Sequence, residues 1–370
     1  MRILYCSQNY CPHDHRFLTA LSESEHEVFW YRLENRAFEE RPLPKSIQVV
    51  AWKGQKSSYT WFDYPMLVCN FKRVVKSINP DIIHAGPIQT VALVPALGNL
   101  HPLMSMSWGF DLLQDMHRDG IWKAVTKFVL RRSSWLIADC QTVKKIAMQN
   151  GFPEEATTIF PWGVDPQLFQ PDFNRKKRKE FGYENDFVMV HTRSWESRYG
   201  VDIALKGFLS AYRRNPSIRM IMLGGGSQEN SIKQFVSDHN LQDHILFKGY
   251  QKNQNLVDYY QIADAYLSAS HIDGSSVALL ESMACGCPGI VSDIPSNLEW
   301  ISDGIQGWTF KDGDSESLGE AILQAADDSP DRRKRGLAAR EKAQQDADWN
   351  KSVSSLLNAY EQCRNEFLGI

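Results

Sequence analysis

Short apolar runs separated by longer helical stretches dominate this chain, and the pattern stops once and then begins again. In the first half the strand-like runs are 3–6, 27–31, 47–52, 81–84, 103–107, 135–138 and 158–160. A stretch rich in proline and charge follows, from Phe169 to Lys179. The runs resume at 187–191, 219–223, 245–247, 265–267 and 289–292. Strands that alternate with helices pair through crossovers, which builds parallel sheets covered by helices on both faces. A length of 370 residues exceeds one ordinary core and suits two such α/β domains, with the boundary near Pro171.

The formal net charge of −3 gives no nucleic-acid footprint. No apolar run approaches membrane-spanning length, and Met1 leads directly into a strand-like run without a signal-peptide pattern. Seven scattered cysteines do not form a disulfide framework, and Cys285 and Cys287 are too close for a C-x-x-C pair. A cytoplasmic protein with free thiols is expected.

The most chemically loaded stretch begins at Asp273-Gly-Ser-Ser. Asp273 stands in a loop, Ser275 or Ser276 can cap the helix that follows, and Glu281 lies more than two turns farther along. The two acids cannot share one helical face. Between them, the free N–H groups of a first helical turn form an anion seat. One acid before a phosphate seat and one beyond it suit a sugar nucleotide.

This stretch resembles the E-x7-E signature of the retaining GT-B glycosyltransferases, the large class also called family 4. Glu281-Ser-Met-Ala-Cys-Gly-Cys-Pro288 is similar to that family's E-A-M-A-C-G-x-P, and a weaker likeness runs along nearly the whole chain. Asp273 stands where the family has Glu, one methylene shorter. The resemblance implies a GT-B fold: two facing Rossmann-like domains with parallel sheets and an interdomain cleft that holds the active site. It implies an acceptor-side domain over 1–171 and a nucleotide-sugar-binding domain over 172–347. Residues 348–370 then form a C-terminal helix, over 349–367, that crosses back to the first domain.

The segment from His191 through Arg193 to Arg198-Tyr199-Gly200 is similar to the family's G-R-L…K-G, whose Arg and Lys grip the donor diphosphate. Arg193 aligns with the arginine, and a guanidinium fork matches two phosphate oxygens. Tyr199 occupies the lysine position, which leaves Arg198, one residue earlier, as the second cation. Gly224-Gly225-Gly226 sits where the family has G-x-G-P, and either admits a phosphate to Gly225 or makes an ordinary βα turn. It is not a G-x-G-x-x-G fingerprint, so a nicotinamide cofactor is not supported. Tyr250, after Phe247-Lys-Gly, is read as a base contact or as simple packing.

Ser107-Trp108-Gly109-Phe110-Asp111 takes the place of the family's H-G-x-D. Trp108 replaces the histidine and forms either an apolar wall under a sugar ring or part of the core. Asp111 matches the acidic member. Pro12-His13-Asp14-His15-Arg16 replaces the family's Gly-Gly turn. Adjacent residues at a helix start point apart, so His13, His15 and Arg16 are read as acceptor or phosphate contacts rather than metal ligands. Asp312-Gly-Asp314 matches D-x-D superficially and reads as a helix-capping turn. Over 121–132 an amphipathic helix is predicted, with Ile121, Trp122, Val125, Phe128 and Val129 on one side and Lys123, Lys127 and Arg131 on the other. It either packs on the sheet or lies on a membrane.

These readings point to a retaining glycosyltransferase. Asp273, Arg193 and Asp111 are its catalytic candidates. Glu281 is assigned to the ribose and Asp273 to the sugar hydroxyls. The backbone of Gly274, Ser275, Ser276 and Val277 joins Arg193 at the diphosphate. The implied donor is a nucleotide sugar, a UDP-sugar favoured, and the acceptor a glycan, a lipid-linked sugar or a small molecule. No metal, cofactor or nucleic-acid partner is implied, and the location is cytoplasmic or peripheral to the inner face of the membrane. A sugar-nucleotide epimerase of the same fold and a catalytically silent nucleotide-sugar binder remain the other readings.

Overall fold

The computed structural model describes residues 1–172 and 176–370. Three residues of the expected linker, Phe173, Asn174 and Arg175, lie outside the described residues. The chain forms two compact units. Unit 1 comprises Met1–Pro161 together with Ser352–Ile370, and unit 2 comprises Trp162–Lys351.

Unit 1 is built on strands β1 (Arg2–Ser7), β2 (Glu27–Arg32), β3 (Gln48–Val49), β4 (Ile82–Ala85), β5 (Leu103–Met106), β6 (Trp135–Ala138) and β7 (Thr157–Ile159). They pair in the order β3-β2-β1-β4-β5-β6-β7, every pair parallel. Strands β4, β5 and β6 are buried along their whole length, which explains why their side chains are apolar apart from His84 and Ser105. The run 47–52 shrinks to the two-residue β3. As the last strand of its sheet it has one neighbour only, and Val49 is left 61% exposed.

Helix Trp349–Leu368 buries Leu356, Ala359, Tyr360 and Cys363, the spacing of a single helical stripe. Its Tyr360 hydroxyl lies 2.7 Å from His84 Nδ1, at the end of β4. Burial holds His84 at a pKa of about 3, so the ring is neutral and its partner is a hydroxyl rather than a carboxylate.

Unit 2 contains β8 (Phe187–His191), β9 (Ile218–Leu223), β10 (Ile245–Gly249), β11 (Ala265–Ser268), β12 (Gly289–Ser292) and β13 (Gly307–Phe310). Their order is β10-β9-β8-β11-β12-β13, again all parallel. Sequence reading did not count β13 among the strands. Strand β8 feeds two cores: Phe187 and Met189 pack into one cluster, Val188 and Val190 into the other. That alternation is the period-two geometry of a strand covered on both faces.

Both sheets share one topology. Counted within its unit, each runs third, second, first, fourth, fifth, sixth, and unit 1 adds a seventh strand at the end. In this doubly wound order the loops leaving the first and fourth strands diverge to opposite faces, which opens a crevice at the carboxyl edge. The crevice lies between β8 and β11 in unit 2, and between β1 and β4 in unit 1.

Candidate functional site

The sequence-predicted cation and first acid meet at the unit 2 crevice. Arg193 follows β8 by two residues, and Asp273 lies in the loop after β11. Arg193 Nη2 stands 2.8 Å from Asp273 Oδ2, and its Nη1 donates to Ser276 Oγ at 3.2 Å. The guanidinium carbon lies 4.1 Å from the ring centroid of Tyr199, within stacking range of a cation on an aromatic face. Arg198 approaches the same ring at 5.7 Å. Tyr199, in the family's lysine position, is therefore a platform beneath a cation and not a cation itself.

The electrostatics follow from burial. Desolvation raises the Asp273 carboxyl above its ordinary range, and the Arg193 charge works against that rise. Burial likewise disfavours the Arg193 charge, but Asp273 together with Tyr199, Tyr266 and Tyr260 outweighs it, and the guanidinium stays ionised. His191, at the end of β8, is fully buried and pushed down to about 4 by that burial and by Arg193, so it adds no positive charge.

Local sequence explains the fit. Gly200 has φ +57°, and a Cβ there would sit 1.9 Å from the carbonyl oxygen of Ala269. Only glycine lets the loop after β8 lie against the loop after β11. Between the two serine candidates, Ser276 caps helix Val277–Ala284, its Oγ accepting from the Leu279 N–H at 3.5 Å. Ser275 Oγ instead accepts from Trp300 Nε1 at 3.1 Å.

Glu281 lies within that helix and is buried. Its Oε1 accepts from Asn253 Nδ2 at 3.1 Å, and its Oε2 from the Tyr260 hydroxyl at 3.2 Å. Tyr260 also lies 3.3 Å from Thr192 Oγ1, next to Arg193 in sequence. A polar chain thus links Arg193's own strand end to the second acid. Asn253, Tyr260 and Thr192 carried no motif signal, because they come from separate elements.

The glycine turn closes the far side. Gly225 accepts at its carbonyl from the Trp195 N–H at 3.0 Å and from the Tyr250 hydroxyl at 3.1 Å. Tyr250 is 77% exposed and lies on Gly225, whose absent Cβ would be 3.1 Å from the Tyr250 ring. Asp314 caps helix Ser315–Asp327 through the N–H groups of Glu316 and Ser317, while Asp312 pairs with His271 Nδ1 at 2.6 Å. The two acids of that D-x-D point apart. Among the described residues no group of three or more His, Cys, Asp or Glu is placed to hold a metal ion.

Unit 1 brings together a different set. Trp108 follows β5 and meets the His13 ring edge-on at 5.6 Å. Asp111 is fully buried. Its carboxylate accepts from Ser107 Oγ at 2.5 Å and from the N–H groups of Ile88 at 3.1 Å, Trp108 at 3.2 Å and Leu112 at 2.9 Å. These bonds tie the loop after β4 to the loop that carries Trp108, and burial raises the Asp111 carboxyl to about 6. The His-Asp-His side chains go three ways. Asp14 turns inward to the Tyr5 hydroxyl at 3.2 Å, His15 Nδ1 meets the Tyr10 hydroxyl at 2.7 Å, and His13 faces Trp108. Arg16 is half-buried on the same helix.

Comparison with known proteins bears on the family and the fold. The family model for group 1 glycosyl transferases matches residues 172–342, and that for the glycosyl transferase 4-like group matches residues 2–140. The chain belongs to the group 1 glycosyl transferases. It is 24% identical over 241 residues to a D-inositol 3-phosphate glycosyltransferase of Saccharomonospora viridis, covering 62% of this chain and 56% of that protein. It is 24% identical over 315 residues to the N-acetyl-alpha-D-glucosaminyl L-malate synthase of Bacillus anthracis, covering 82% of this chain and 81% of that protein. The chain thus spans about half the length of the first relative and most of the second. Among solved structures, Anabaena HepE in complex with UDP superimposes with a TM-score of 0.78 at 18% identity, over 98% of this chain and 100% of that one. A sucrose-phosphate synthase from Thermosynechococcus elongatus gives 0.82 at 16% identity, covering 98% of each chain. The fold is GT-B.

Proposed function

We propose that this protein is a retaining glycosyltransferase that moves a sugar from a nucleotide sugar, a UDP-sugar favoured, to a glycan, lipid-linked or small-molecule acceptor. The observation that carries the reading is the meeting of Arg193, Asp273 and the Ser276-capped helix start at the unit 2 crevice. Arg193 and the first-turn N–H groups hold the diphosphate. Charge grows on that group as the sugar carbon leaves it, so donors fixed there beforehand lower the barrier. Asp273 takes the sugar hydroxyls and Glu281 the ribose. Tyr250 and Gly225 border the base, and Arg198 supports the Tyr199 side. As the bond from the anomeric carbon to the phosphate oxygen breaks, a bond to the acceptor oxygen forms on the same face, and the acceptor's proton passes to the departing phosphate.

On the acceptor side we assign Trp108, His13, His15 and Arg16, with Asp111 bracing the loop that carries Trp108. The domain assignment follows the same division of labour, the acceptor with residues 1–171 and the donor with 172–347. Cation charge comes from Arg193, so the reaction needs no metal. The setting is cytoplasmic, with peripheral membrane contact through helix Gly120–Arg132. In support, Anabaena HepE was solved with UDP-glucose and superimposes with a TM-score of 0.77.

Calorimetry with UDP and UDP-glucose on two variants tests the roles. Glu281→Ala is expected to weaken both ligands, whereas Asp273→Asn leaves UDP affinity nearly intact and lowers turnover. Equal loss of UDP affinity in both removes the assignment of one acid to each end of the donor. Transfer abolished by EDTA and restored by magnesium or manganese contradicts the metal-free reading.

A further inference from the structure

Unit 1 carries an apolar face that its own core does not take up. Helix Gly120–Arg132 was predicted to turn Ile121, Trp122, Val125, Phe128 and Val129 to one side, but the core takes Thr126, Val129 and Leu130. Val125 and Phe128 instead line a groove of about 610 Å³ with Trp61, Tyr64, Val68 and Leu97. At its rim Phe62 is 94% exposed and Ile121 66% exposed. Trp61 and Trp122 meet edge to face at 6.1 Å, so the rim is one cluster and not scattered residues. A contiguous exposed patch of this kind marks an interaction surface.

Charge says what covers it. Helix Gly120–Arg132 carries Lys123, Lys127, Arg131 and Arg132 and no acid, and helix Tyr64–Ile78 carries Lys72, Arg73 and Lys76 and no acid. The acids that precede these helices are already engaged. Asp119 accepts from the Ile121 and Trp122 N–H groups, and Asp63 pairs with Lys56 at 2.6 Å. Lysine is depleted at protein–protein interfaces but favoured beside anionic headgroups, and tryptophan is enriched at the membrane–water boundary.

We propose that this face of unit 1 docks on an anionic lipid bilayer. Phe62 and Ile121 enter the acyl region, while Arg118, over the Trp122 ring at 4.9 Å, and Arg132, over the Phe128 ring at 5.6 Å, lie at the headgroups. The inference deepens the membrane contact in the proposed function and does not require the transfer reaction.

Cosedimentation of the full chain with vesicles tests it, using dioleoylphosphatidylcholine alone or mixed equally with dioleoylphosphatidylglycerol. Wild type is expected to bind the anionic vesicles, and added salt to weaken that binding. Phe62→Ser with Ile121→Ser lowers partitioning about tenfold or more. Arg118→Glu with Arg132→Glu removes the preference for anionic lipid. Both variants keep wild-type affinity for UDP, so loss of lipid binding is separable from failure of the donor site. Three results overturn the proposal: no vesicle binding by wild type, unchanged binding in both variants, or a dimer in light scattering that the Phe62→Ser, Ile121→Ser variant dissolves. The last assigns the face to a second copy of the chain.

Discussion

The carboxyl edges of the two sheets begin from the same strand order and end with opposite uses of a buried acid. In unit 2, Asp273 faces Arg193 across 2.8 Å, with Gly274, Ser276 and Arg198 also favouring its charge, and the acid and Arg193 keep some exposure, 12% and 15%. In unit 1, Asp111 has no exposure, and its partners are one hydroxyl and three backbone N–H groups. A partly exposed acid whose main partner is a side-chain cation can exchange that partner for a ligand. An acid bonded to fixed backbone donors cannot, because each donor left behind is buried and unsatisfied. Doubly wound topology thus supplies the crevice, and the partners of the acid decide whether it is a site or a brace.

The sharpest way to break the contrast is to remove each acid's environment in turn. Arg193→Ala is expected to lower kcat/KM for the donor by about a hundredfold to a thousandfold, the usual cost of losing one donor aimed at developing charge. Steady-state kinetics with UDP-glucose checks it, and a loss under tenfold takes Arg193 out of the diphosphate seat. Asp111→Ala acts on stability instead, lowering it by about 3 kcal/mol or more because several buried donors lose their acceptor together. Chemical denaturation measures that. A normally stable variant with impaired turnover would move Asp111 from brace to catalyst.

A pH titration of stability sharpens the same comparison. Burial raises folded Asp111 to about 6 from an ordinary value of 3.8. The folded state then holds a proton that the unfolded state has released, so this acid's contribution falls as pH rises from about 4 to about 6. His84, lowered to about 3, and His191, lowered to about 4, contribute the opposite slope up to their ordinary value of 6.5. The expected signal is therefore the difference between wild type and Asp111→Asn, on the order of 3 kcal/mol across that window. A flat difference places the folded Asp111 pKa near its unfolded value.

The smallest effect concerns Tyr199. A stacked guanidinium on an aromatic ring contributes about 0.5–2 kcal/mol, so Tyr199→Leu should weaken UDP binding roughly twofold to thirtyfold. Tyr199→Phe keeps the ring and should bind as wild type does. If both variants lose affinity equally, the hydroxyl matters and the stacking account fails.

Much of the unit 2 crevice was legible from residues 193 and 273–281, because its geometry is local. A capped helix start and an acid one helical segment later are fixed by chain spacing. The choice between Ser275 and Ser276 was not legible. It was made by Trp300, which takes Ser275 from 25 residues away. Helix Gly120–Arg132 shows the same limit: its apolar stripe was visible, yet the core took the adjoining stripe and left Ile121 and Phe128 outside it. Periodicity reports that a helix is amphipathic, while the neighbours decide which residues are covered.

The amino-acid sequence by itself determined the α/β class, the parallel sheets and the spacing of two acids about a capped helix start, since alternation, capping and spacing act over a few turns of chain. Tertiary structure alone decided that Tyr199 lies under Arg193, that Asn253 and Tyr260 hold Glu281, and that Asp111 is saturated. Stacking within the segment after β8, contact between two helices and the meeting of loops after β4 and β5 each follow from packing rather than from local sequence.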